Sequence, residues 1–169
     1  MSISLYDISI PALSRGLSNL SAILDKAAAH AAAKKYDSAI LGQLRLYPDM
    51  HPLVRQVQIA CDTAKGAAAR LAGVDVPKHE DTETTLDELK QRIAKTLDFL
   101  KTVSTDQVNG AASRTIEIKF PNGAWKFTAI AYLTDFVLPN FYFHVSIAYA
   151  LLRKNGIEIG KGDFLGAIQ

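Results

Sequence analysis

The sequence has almost no cysteine. Cys61 is the only one in 169 residues, which excludes a disulfide framework. Inside an Ala-rich helical stretch, that single thiol reads as a small buried apolar group, in keeping with a reducing cytoplasm. A bias of charge is also lacking. Nineteen Lys and Arg stand against 17 Asp and Glu, for a net charge of +2, so electrostatics make no case for nucleic acid or an anionic membrane as partner. No apolar run is clean enough to cross a bilayer. The longest, Ala129 to Leu152, is interrupted by Asp135, Pro139, Asn140 and His144, and reads as a helix buried in protein. The segment Met1-Ser2-Ile3-Ser4-Leu5-Tyr6-Asp7 has no basic region ahead of an apolar core, so no secretory signal is expected.

The common catalytic signatures are missing as well. The glycines lack the spacing of a phosphate loop or a dinucleotide fingerprint, and there is no G-x-S-x-G elbow. Neither C-x-x-C nor H-E-x-x-H occurs, and neither His51 nor His144 has a Glu three residues before it, which excludes the common zinc signatures and a di-iron bundle.

What is present is helical periodicity. Hydrophobic residues make up 49% of the chain, enough for one domain spanning residues 1–169. Ile10, Leu13, Leu17, Leu20, Leu24, Ala27 and Ala31 recur at three- and four-residue steps, predicting a first helix over about Pro11–Lys35, with Pro11 in its first turn. A connection follows, with a short helical turn near Asp37–Gly42. A second helix runs from Pro52 to Ala72 and stops at Gly73. The pattern Thr85-x-x-Glu88 is a capping box that starts a third near Leu86, with Leu86, Leu89, Ile93, Leu97 and Leu100 as its buried stripe. Between these two, Lys78-His79-Glu80-Asp81 reads as a solvated loop. Thr115–Phe120 alternates apolar and polar residues, Pro121-Asn122-Gly123 supplies a turn, and Trp125 and Phe127 resume the alternation. This predicts a hairpin whose face Ile116, Ile118, Phe120, Trp125 and Phe127 packs on the helices. A last helix runs from about Thr128 to Asn155, kinked by the internal Pro139, and the tail from Ile157 wraps over the body. The expected fold is an all-α four-helix bundle with a small β-hairpin inserted before the last helix.

One polar pair interrupts the last helix. Asn140 and His144 lie four residues apart, on one face, within Leu138-Pro139-Asn140-Phe141-Tyr142-Phe143-His144-Val145. Polar groups in an apolar helix need a hydrogen-bond partner, a metal or a ligand. The second helix offers His51, Arg55, Gln58 and Asp62 at steps of four, three and four. If that stripe faces the last helix, the two enclose a polar pocket. His144 is then the candidate base or metal ligand, Asp62 its orienting partner, and Asn140, Gln58, Arg55, His51 and Tyr142 the ligand contacts. The alternative is internal satisfaction, with Asn140 on carbonyls freed by Pro139 and His144 on a buried carboxylate. Tyr142 belongs to an aromatic cluster with Phe136, Phe141, Phe143 and Tyr149 that is otherwise core.

These segments carry a resemblance. Ser4-Leu5-Tyr6-Asp7, Asp49-Met50-His51-Pro52-Leu53, Arg55 through Asp62, Leu138 through His144 and the ending Leu152-Arg153-x-x-Gly156 resemble an uncharacterised domain-of-unknown-function branch of the DinB/YfiT-like superfamily of bacterial four-helix-bundle proteins. Many members hold a divalent metal, such as nickel or zinc, with three histidines. The resemblance places the last-helix pair on Asn140 and His144 and the second-helix ligand near Gln58, so His144 alone keeps an imidazole. His51 and Asp62 are eleven residues apart, about 16 Å along a helix, and cannot both serve one metal. The resemblance thus implies a bundle protein that pairs as a homodimer. It leaves open a small-ligand pocket, a metal site with thiol-transferase-like activity, and a non-catalytic interaction role.

Overall fold

The structure, a computed structural model, describes residues 3–167, with the side chain of Phe120 outside that description. Helix α1 (Leu5–Lys34) opens on a capping box: Ser4 Oγ accepts from the Asp7 N–H at 3.2 Å, and Asp7 Oδ2 accepts from the Ser4 N–H at 3.1 Å. It therefore starts well before Pro11, which lies inside the helix. The capping box wins because Pro11 removes only the bond its N–H would have made to the Asp7 carbonyl.

A single turn, α2 (Ala39–Gly42), leads into α3 (Leu53–Ala72), which ends at Gly73 with φ of 74°, a left-handed stop that suits glycine. Helix α4 (Leu86–Thr102) has the expected Thr85–Glu88 capping box. A short α5 (Thr105–Asn109) and a 3₁₀ turn (Gly110–Ser113) follow, from a segment without apolar periodicity in the sequence.

Strands β1 (Thr115–Phe120) and β2 (Gly123–Thr128) pair antiparallel, with Ile116 opposite Phe127 and Ile118 opposite Trp125. Ile116 and Ile118 are buried as expected. Trp125 stays 55% exposed, edge-on to Phe127 and Phe136. The expected contribution of Phe120 to this face lies outside the described residues.

The last helix is not one continuous helix from Thr128. A turn, α6 (Ala129–Ala131), is capped by Thr128 Oγ1. It leads into a π-helical turn (Tyr132–Val137), and only then does α7 (Leu138–Lys154) begin. Pro139 is the cause. It has no N–H for the Asp135 carbonyl, and its ring crowds that carbonyl, so the preceding turn widens. The helix ends at Lys154, and Gly156, at φ of 89°, turns the chain away. The tail forms α8 (Lys161–Leu165) and docks on α1. Asn19 Nδ2 donates to the Phe164 carbonyl at 3.0 Å, and Lys26 pairs with Asp163 at 2.7 Å.

Helices α1, α3, α4 and α7 are the bundle, and α3 packs on all three others. Leu13, Leu17, Leu20 and Leu24 of α1 meet Val57, Cys61, Ala64, Ala68 and Leu71 of α3 and Leu89 and Ile93 of α4 in one core with Phe141, Val145 and Leu152 of α7. Burial pushes the Cys61 thiol up to about 12, so it is an inert packing group. Small residues set the helix spacing. At Gly16 a Cβ would lie 2.5 Å from Cε1 of the fully buried Phe141. Gly16→Ala should therefore lower stability by about 1–2 kcal/mol, despite the better helix propensity of alanine. Urea denaturation should show the midpoint falling at unchanged slope.

Candidate functional site

Helix α3 presents two polar faces, and they look in opposite directions. Residues seven apart return to the same side of a helix, whereas two residues on is about 200° round the axis. Gln56, Thr63 and Arg70 thus share the α7 side with Ala60 and Ala67, and Gln58, Asp62 and Lys65 lie across the helix.

On the α7 side the polar groups pair as rungs of an antiparallel seam. Gln56 Oε1 lies 2.7 Å from His144 Nδ1, Asn140 Nδ2 donates to Thr63 Oγ1 at 2.7 Å, and Arg70 Nη1 donates to the Tyr132 hydroxyl at 3.2 Å. Chain order rises along α3 as it falls along the partner helix. Tyr132 and Asn140 are eight residues apart, a spacing that would swing them off a common face of a regular helix. The π turn takes up one residue and restores the alignment.

The first rung fixes the chemistry of His144. Gln56 Nε2 donates to the His51 carbonyl at 2.9 Å. A carbonyl only accepts, so the amide nitrogen must face His51 and the amide oxygen must face the imidazole. His144 Nδ1 therefore carries the proton, and Nε2 is left as an unprotonated lone pair. The residue is 8% exposed. Burial, reinforced by the positive fields of His51 and Arg55, pushes its pKa down to about 4, so it is neutral at physiological pH. The partner is an amide, not the carboxylate considered from the sequence. A carboxylate would have raised the pKa.

Across α3 the polar stripe meets α4 and the preceding loop. Arg92, its side chain 1% exposed, pairs with Asp62 at 2.8 Å, Asp81 at 2.9 Å and Glu83 at 3.0 Å, and donates to the Glu80 carbonyl at 2.9 Å. Lys65 reaches Asp62 at 2.8 Å, Gln58 Nε2 donates to Glu83 at 2.9 Å, and Arg55 pairs with Asp81. Three cations thus balance three carboxylates. This knot pins Glu80, Asp81 and Glu83 to the bundle, so the segment read as a solvated loop is anchored.

The candidate residues therefore divide. His144, Asn140 and the His51 backbone lie along the α3–α7 seam. Gln58 and Asp62 belong to the Arg92 knot and do not orient His144. Arg55 touches Gln58 and Asp81, yet its charge still bears on His144. Tyr142 lies toward α1, where the charge of Arg15 acts on it, and burial raises its pKa. Gln56, Thr63, Arg70, Glu83 and Arg92 escaped the sequence reading. A helical wheel of α3 carries the signal for the first three, because their seven-residue steps coincide with an alanine face. The donors along the seam do not fit a three-histidine centre: one imidazole is engaged by an amide, Asn140 is engaged by a hydroxyl, and Gln58 is across the helix. Among the described residues no three His, Cys, Asp or Glu side chains are grouped to hold a metal ion.

A family model described as a domain of unknown function, DUF1993, matches residues 5–165. The chain is also similar to a crystal structure of a DinB family member protein from Shewanella denitrificans, at 47% identity and a TM-score of 0.90, over 97% of this chain and 93% of that one. No curated protein matches the chain significantly.

Two variants test the site's energetics. Arg92→Gln removes the buried cation and leaves its carboxylates facing one another, so stability should drop by about 3 kcal/mol in guanidinium denaturation. For His144 the sign follows from its lowered pKa. Between its ordinary 6.5 and about 4, the unfolded chain takes up a proton that the folded one refuses. Its contribution is therefore complete above that window and is lost as the pH falls through it. Denaturation at pH 7.5 and 4.5 should reveal a loss of about 2–3 kcal/mol from this group. His144→Gln should show a correspondingly smaller difference.

Proposed function

The chain belongs to the DUF1993 family, with the DinB bundle fold, and from that premise we propose that it binds a small polar ligand at the His144 end of the α3–α7 seam without a resident metal. The observation that carries this reading is the Gln56 clamp on Nδ1, which leaves His144 Nε2 as an acceptor of known protonation state. A lone pair held in place suits a ligand that brings an O–H, N–H or S–H donor. The nearby guanidinium of Arg55 favours an acidic ligand.

The lowered pKa argues for recognition over proton abstraction. A base whose pKa lies about 2.5 units below an ordinary histidine gives up about 3 kcal/mol of driving force for taking a proton. His144 therefore acts as a hydrogen-bond acceptor that orients the ligand. Asn140, spent on Thr63, supports the seam instead of the ligand.

The test has two arms. Protein purified without a His tag should carry little metal by elemental analysis, and added nickel or zinc should bind no tighter to the wild type than to His144→Phe. A panel of small carboxylic acids, alcohols and thiols, followed through the His144 ring resonances, should contain compounds whose binding His144→Phe abolishes. Stoichiometric metal that depends on His144, or a panel without effect on those resonances, would overturn the reading.

A further inference from the structure

Across α3 from this seam, between residues 78–83 and the first turns of α4, lies a cleft of about 610 Å³. Lys78, His79, Glu80, Glu83, Arg92 and Lys95 line it. The charges of that lining are unevenly spent. Glu83 is committed to Arg92 and Gln58. Glu88, also on the wall, is committed to the N–H groups of Thr84 and Thr85, which hold its carboxyl down near about 2.

The basic groups have more left over. Arg92 uses both terminal nitrogens on carboxylates and a carbonyl, but its Nε is buried with no acceptor among the described residues, and His79 Nδ1 is likewise buried without a partner. Lys78 and Lys95 make no ion pair among the described residues. Against two ammoniums, one guanidinium N–H and one imidazole stands a single uncommitted carboxylate, Glu80. A buried donor without an acceptor costs about 1–3 kcal/mol, and both residues line the cleft.

We propose that this cleft is a second site, built to take a small oxyanion of the phosphate or carboxylate class. Lys78 and Lys95 supply its charge, and the His79 ring in its wall supplies a hydrogen bond. Glu80 limits the ligand to one that leaves room beside that carboxylate or offers it a donor. The Arg92 knot holds the loop, and so the cleft, in shape. The pocket is independent of His144, because the intervening α3 turns its Gln56 face away.

His79 is the reporter. Burial and the nearby Lys65, Lys95 and Arg92 charges lower its pKa, with Asp62 opposing them, and a bound anion reverses part of that shift. The intact protein is titrated with inorganic phosphate and, separately, with succinate, at constant ionic strength. The His79 ring is followed by NMR. With either anion its pKa should rise by about half a unit or more, and the stronger binder names the ligand class. Replacing both lysines (Lys78→Gln with Lys95→Gln) should weaken binding about fivefold or more, whereas Lys26→Gln with Lys34→Gln, on α1, should not. No response to either anion would overturn the proposal. So would equal weakening by the two variant pairs, which would make the effect a general one of surface charge.

Discussion

The close contact between α3 and α7 is the constraint from which most of the architecture follows. The α3 face is alanine at Ala60 and Ala67, so the helices approach closely and the polar side chains between them find their partners across the seam. Gln56, Thr63 and Arg70 do so with His144, Asn140 and Tyr132. Pro139 belongs to the same solution. By denying Asp135 its backbone partner it widens the turn before α7, and that extra residue keeps Tyr132 in line with Asn140. The π turn is thus the means by which a proline and a straight row of polar rungs coexist.

The opposite face of α3 obeys a different rule. There the partners are ionised, and a guanidinium as buried as that of Arg92 is tolerable only with its charge matched. Asp62, Asp81 and Glu83 match it, with Lys65 and Arg55 restoring neutrality to the group. One helix therefore carries a closely packed seam, paired mainly through neutral groups, on one side and a neutralised charge knot on the other. His144 feels the first, which is why its imidazole is neutral. The loop before α4 feels the second, which is why it is held.

Much of this is legible in the sequence. The four long helices, the hairpin and the capping box of α4 follow from periodicity and turn chemistry, and the anomaly of Asn140 and His144 stood out in an apolar run. The start of α1 is harder to read, because Pro11 is a louder signal than Ser4-x-x-Asp7, although the latter makes three hydrogen bonds and the former only forgoes one. The pairing of the site was less legible. A four-three-four stripe at His51, Arg55, Gln58 and Asp62 looks like one face aimed at one neighbour, but nothing in a sequence says which helix that neighbour is. The stripe chose α4 because the counter-charge, Arg92, is there. His144 was left to Gln56, an uncharged residue that no charge pattern marks.

The protonation state of His144 carries the functional account: a neutral ring with the proton on Nδ1 and a lone pair on Nε2. Long-range proton–nitrogen correlation of the histidine rings at neutral pH measures it directly. The account requires an Nε2 shift typical of an unprotonated nitrogen and an Nδ1 shift typical of a protonated one, both unchanged down to about pH 5. A proton on Nε2, or titration near the ordinary histidine value, would contradict it.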